Sequence, residues 1–250
     1  MDNASRLRYL VGISVLIFTL LFGVYKAFKK ESDCFTEPSA KVAFLFDRSE
    51  PITALQLSEI RERVKQVLEV AQPNSRVTVY HMTDRGFDPS SEFQQCLPKR
   101  NVNPIYEGDQ KLARNRFDKF VMDLVSSIKL EEIKIESRSP IVETIDTIMT
   151  KSGISRDSGN LQRDQVSLHI FSDLIQNSDL VSLYGCKTNP GIGLLNNSGI
   201  RERLQRFSKD SAMIVLHTIK RDQSNQSIPS SLCLRRFWEE LLPRAEHRAL

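Results

Sequence analysis

Two short stretches carry side chains whose placement could do chemistry. Asp47 ends an apolar run in Phe44-Leu45-Phe46-Asp47-Arg48-Ser49-Glu50-Pro51, and Asp173 ends another in His169-Ile170-Phe171-Ser172-Asp173-Leu174. A carboxylate at the end of a buried strand is costly unless it is hydrogen-bonded, paired or bound to a metal. Ser49 stands two residues after Asp47, and Ser139 precedes Pro140 at the start of an amphipathic stretch. Carboxylate and hydroxyl oxygens are the ligands that hard cations such as Mg²⁺ prefer, with waters completing an octahedron. The competing expectation is that both aspartates cap the loops that follow them by hydrogen bonds alone.

The elements that must position these groups read as alternating strands and helices. Lys41 to Phe46 is nearly all apolar, as in a strand buried on both faces of a parallel sheet. A helix is expected from about Ala54 to Ala71, with Thr53 and Gln56 forming a capping box and Leu57, Ile60, Val64, Val67 and Leu68 on one face. Arg76 to Met82 reads as a strand, Thr83 to Gly108 as a long loop, Gln110 to Ile128 as a helix and Glu132 to Ser137 as a short strand. A helix opens at Pro140, with Ile141, Ile145, Ile148 and Met149 on its apolar face. Val166 to Ser172 and Ala212 to Ile219 are further buried strands. Helices are expected at Gly199 to Phe207 and at Leu232 to Leu242, the latter burying Phe237 and Trp238. Strands alternating with helices predict an α/β domain: a doubly wound, mostly parallel sheet with helices on both faces. In such a sheet ligands bind at the carboxyl ends of the strands, where Asp47 and Asp173 stand.

Ahead of this domain, Tyr9 to Tyr25 contains no charged residue. These 17 residues make about 25 Å of helix, enough to cross a thin bilayer, and tyrosines mark both ends. The Lys26-Ala27-Phe28-Lys29-Lys30 sequence that follows is a poor cleavage site, so the segment reads as a retained anchor. The expected organisation is a tail at 1–8, a transmembrane helix at 9–28, a linker at 29–40 and the α/β domain at 41–250. A short amino-terminal tail tends to stay inside, which places the domain outside the cytoplasm. Four cysteines, none in a CxxC pair, suit the same compartment. Cys96 and Cys186, both in long loops, read either as a disulfide staple or as two free thiols.

At the two aspartate motifs the chain resembles a von Willebrand factor A domain. That family begins with an apolar strand ending D-x-S-x-S, here Asp47-Arg48-Ser49-Glu50-Pro51. It continues with a threonine in a TPL-like turn, here Ser139-Pro140-Ile141, and an aspartate ending its fourth strand, here Asp173. The resemblance spans about Lys41 to Ile219. It implies a metal-ion-dependent adhesion site in which Asp47, Ser49, Ser139 and Asp173 hold Mg²⁺ and an acidic side chain of a protein partner completes the shell. Pro51 replaces the second serine of the first motif and removes one hydroxyl ligand; Ser139 replaces threonine and keeps its oxygen.

The function expected from these readings is a membrane-anchored, non-enzymatic protein-interaction module. Two alternatives stand beside it. One is a metal-dependent hydrolase or phosphotransfer enzyme using Asp47 and Asp173; the other is a structural membrane subunit with a vestigial metal site. A net charge of +4, with Lys and Arg spread along the chain, gives no basic stripe for nucleic acid. The scattered histidines have no zinc-site spacing. Gly191-Ile192-Gly193 lacks the third glycine of a dinucleotide loop.

Overall fold

The computed structural model describes residues 34, 37–49, 51–83, 86–87, 93–105, 108–128, 138–151, 154, 165–187, 195, 199–220 and 229–250. The expected transmembrane helix at 9–28 and the expected strand at Glu132 to Ser137 lie outside these residues. Among the described residues no helix is long and apolar enough to cross a membrane. The chain divides into two units, Met1–Glu37 and Pro38–Leu250, and the second contains the sheet.

Among the described residues seven strands form one sheet: β1 (Lys41–Asp47), β2 (Arg76–Thr83), β3 (Gly86–Phe87), β4 (Phe93–Cys96), β5 (Val166–Ser172), β6 (Met213–Thr218) and β7 (Glu246–Ala249). Their order is β3-β2-β1-β5-β6-β7, with β4 also on β2. The pairs β1–β2, β1–β5, β5–β6 and β6–β7 are parallel, whereas β3 and β4 run antiparallel to β2. The sheet is therefore mostly parallel, as the alternating elements predict. The segment from Thr83 to Gly108, expected as loop, contains β3 and β4. The terminal strand β7 had no apolar signal at all: its residues are all exposed, and only pairing with β6 makes them a strand.

Side chains alternate across the sheet and build two cores. On one face Val42, Phe44 and Phe46 of β1 pack with Leu57, Ile60, Val64 and Leu68 of α1 (Ala54–Val70) and with Phe117, Phe120 and Leu124 of α2 (Gln110–Ser127). The opposite face carries Ala43 and Leu45. It meets Ile141, Ile145 and Ile148 of α3 (Ile141–Lys151), Leu204 and Phe207 of α4 (Ile200–Asp210), and Phe237 and Trp238 of α5 (Ser231–Leu241). A strand that must feed both cores has no wet face, which is why β1 is buried along its whole length.

The helix starts are local chemistry. The Thr53 side chain accepts from the Gln56 amide while Gln56 reaches back to the Thr53 N–H at 2.8 Å, completing the capping box read from sequence. Ser230 caps α5 by accepting from the Cys233 N–H at 3.1 Å. On the α1/α2 side of the sheet, His169 and His217 lie buried among phenylalanines. His217 stacks on Phe171 with ring centroids 4.3 Å apart, and His169 Nδ1 sits 3.2 Å from His217 Nε2.

Candidate functional site

The strand order changes direction between β1 and β5: the chain winds one way through β1 and β2, then the other way through β5, β6 and β7. Such a switch point leaves a crevice at the carboxyl ends of the two central strands. Phe46 pairs with Phe171 in the β1–β5 register, so one step further Asp47 comes opposite Ser172. Asp173 follows immediately. The residues read from sequence are thus brought to one rim of the sheet.

Asp47 is the hub. One of its oxygens, Oδ1, accepts the Ser49 N–H at 2.9 Å. The other, Oδ2, accepts two hydroxyls, from Ser172 at 2.6 Å and from Ser139 at 3.1 Å. These bonds join three segments distant in sequence: the loop after β1, the turn before α3 and the end of β5. All four residues are buried, Asp47 at 7% exposure and Ser172 at 1%. Asp173 is half-buried; its Oδ1 accepts the Ile175 N–H at 2.8 Å and lies 3.5 Å from the Ser172 hydroxyl. Both aspartates therefore cap the amide two residues on, as the hydrogen-bond expectation has it, and they are separated by a single serine.

Ser172 was missed as a site residue in the sequence reading. The signal was present: aligning the two apolar runs by their phenylalanines places Ser172 beside Asp47. Gln176 was also missed. Fully buried, it caps α3 from a distance, its carbonyl oxygen accepting the Val142 N–H at 2.8 Å and its amide donating to Glu143 at 2.9 Å. A pair of backbone hydrogen bonds between Ser139 and Asn177, each 2.9 Å, zips the α3 turn to the segment after β5. That segment is bent by Leu174, whose φ of 64° is left-handed. A non-glycine residue there costs roughly 1–2 kcal/mol, and such strain persists only where surroundings hold it. Here the Trp238 indole donates to the Leu174 carbonyl at 2.9 Å.

The disulfide expectation is corrected. Cys186 pairs with Cys233, not with Cys96, across a Cα separation of 6.1 Å. The reason is topological: the loop after β5 crosses to the start of α5, where Ser230 also bonds the Cys186 carbonyl at 2.9 Å, while Cys96 ends β4 at the other side of the sheet. Among the described residues no cysteine is free.

The donor set is entirely oxygen. Among the described residues there is no cluster of three or more His, Cys, Asp or Glu that could hold a metal, so a cation here would take carboxylate, hydroxyl and water ligands. A hydroxyl has one proton and two lone pairs. The Ser139 proton goes to Asp47, which leaves its lone pairs for a cation, and Ser49 spends only its backbone N–H on Asp47. This chemistry fits Mg²⁺, which keeps several waters, and does not fit zinc. Pro51, exposed in the first loop, supplies no hydroxyl.

No family model and no curated protein matches this chain. Several solved structures resemble it. The PilB minor pilin from Streptococcus sanguinis does so with a TM-score of 0.49 and 12% identity over 86% of this chain. Proximal thread matrix protein 1 from the mussel byssus gives 0.46 and 11% over 84%. A von Willebrand factor type A protein from Catenulispora acidiphila gives 0.44 and 9% over 86%. This chain spans 58%, 44% and 39% of those three structures, respectively. Every one of these TM-scores lies below 0.5, so the architecture stands on the strand order and register above.

Proposed function

We propose that this chain is a membrane-anchored protein-interaction module of the von Willebrand factor A type, presenting a divalent-cation site at the carboxyl rim of its sheet. The observation that carries the reading is the convergence of the Ser139 and Ser172 hydroxyls on one oxygen of Asp47, one residue from Asp173. Asp173, less buried as a residue than Asp47, and the Ser49 and Ser139 hydroxyls would hold the ion, with Asp47 orienting the Ser139 hydroxyl and bound water. A Mg²⁺ held there supplies an open coordination position for an acidic side chain of a protein partner. With Pro51 in place of a hydroxyl, one more water enters the shell, and affinity is lower than a full ligand set would give.

The apolar segment from Tyr9 to Tyr25 is the proposed anchor. The Cys186–Cys233 disulfide, with no free cysteine among the described residues, supports an oxidising compartment, hence a domain outside the cytoplasm. The enzymatic alternative asks Asp47 to act as nucleophile. With three donors on its two oxygens and 7% exposure, it is poorly placed to attack anything. A partner-binding surface with a vestigial metal site is separated from a cation-dependent one by experiment. Replacing exposed Pro51 with a photo-crosslinking benzoylphenylalanine in native membranes should trap a discrete partner, and EDTA should abolish the product. A product unchanged by EDTA removes the cation from the account; no product at all removes the interaction.

A further inference from the structure

The opposite rim of the sheet, at the amino ends of β1, β5 and β6, holds a cavity of about 430 Å³. Among the described residues its charged lining is of one sign: Lys41 at the start of β1, Arg63 of α1 and Arg248 of β7. Among the described residues no aspartate or glutamate lines it; Glu59 and Glu62 line a second cavity that shares Arg63 and Gln66 with it. Among the described residues Arg63 makes no ion pair and donates only to Gln66, at 3.0 Å. Arg248 is bound to Glu246 at 2.7 Å, which neutralises part of one charge. Neutral donors fill the gaps, with Ser167, Gln72 and the buried His169 on the wall. One side is apolar, formed by Val42, Val67 and Met213.

We propose that this cavity binds a small organic anion, a phosphate or carboxylate head carrying a short apolar stem. A guanidinium with no carboxylate partner offers charge-assisted, two-pronged hydrogen bonding that suits either head. The carbonyl end of α1 also reaches the cavity at Ala71. Its partial charge, roughly half a unit and negative, opposes an anion but is outweighed by the full charge of the Arg63 guanidinium. Burial holds His169 neutral, its pKa lowered to about 3, so it meets a ligand as a hydrogen-bonding ring and not as a fourth charge. The volume falls in the range of small-molecule sites, and the mixture of a few polar groups with an apolar wall is their usual make-up. The cavity is remote from Asp47 and Asp173, so its occupant is independent of the cation proposed there.

The test is calorimetric titration of the full-length chain in non-ionic detergent with hexyl phosphate, hexanoate and 1-hexanol. One-site binding of at least one of the anions, and none of the alcohol, is expected. The preferred anion identifies the head group. Arg63→Gln should weaken binding about tenfold or more, the cost of one charge-assisted contact. Arg248→Gln, on an exposed strand, should weaken it less, and Asp173→Asn should leave it unchanged. Circular dichroism verifies that each variant is folded. Failure of both anions to saturate at about 10 mM, equal uptake of hexanol, or wild-type affinity in a folded Arg63→Gln protein overturns the proposal.

Discussion

At the residue scale, Asp47 is worth more to the fold than to any ligand. Removing its carboxylate leaves two buried hydroxyls and one amide without their acceptor. Each orphaned group costs about 1 kcal/mol or more, so Asp47→Ala should lower unfolding stability by about 3 kcal/mol in urea titrations. Ser172→Ala should cost about 1 kcal/mol by the same measurement. The His169–His217 pair makes a second prediction at this scale. Burial among aromatic rings is the main cause of depression for both, taking His169 to about 3 and His217 to about 4, with further lowering by His217 and Arg248 on the first and by Arg63 and Arg248 on the second. Because these folded-state values lie below the unfolded 6.5, the neutral forms belong to the native state. Their contribution is complete above pH 6.5 and is lost as pH falls from 6.5 toward 4, where only the unfolded chain takes up the protons. Melting temperature should therefore drop between pH 6.5 and 5, before most carboxylates titrate. A His169→Phe, His217→Leu double variant should flatten that drop. An equal slope in the variant would mean the pair is not responsible.

At the scale of elements, the site depends on how the segment after β5 is held. It bends at Leu174, zips to the α3 turn, and is bonded covalently to α5 through Cys186–Cys233. The disulfide closes a loop with a sequence separation of 47. On chain-entropy grounds a bridge of this span contributes about 4 kcal/mol, so a Cys186→Ser, Cys233→Ser protein should melt several degrees lower. Trp238→Phe keeps most of the packed ring but removes the donor to the Leu174 carbonyl. Its cost should be about 1–3 kcal/mol in denaturant titration. Amide exchange should accelerate in the segment following Asp173 if the indole is what holds the left-handed turn, and should be unchanged there if it is not.

Across the whole molecule, legibility in the sequence follows burial. Strands β1, β5 and β6 feed two cores, so their apolar runs announce them; α1 announces itself by its capping box. Exposed β7 and the short antiparallel β3 and β4 exist through pairing alone and leave no periodic trace. The site was half legible for the same reason. Asp47 and Asp173 could be placed because strand ends in a parallel sheet share a rim. Ser172 and Gln176 act through register and through a contact between distant segments, and the partner of Cys186 was decided by the path of a loop. Those are properties of the assembled fold. The central claim is that the rim carrying Asp47, Ser139 and Asp173 holds a hard divalent cation. Its most direct test is a Mn²⁺ titration of the full-length chain followed by electron paramagnetic resonance. The account predicts one saturable site in the millimolar range or tighter, displaced by Mg²⁺ and lost in a folded Asp173→Asn variant. Free Mn²⁺ signal rising in proportion to added metal, or an identical isotherm for Asp173→Asn, would contradict it.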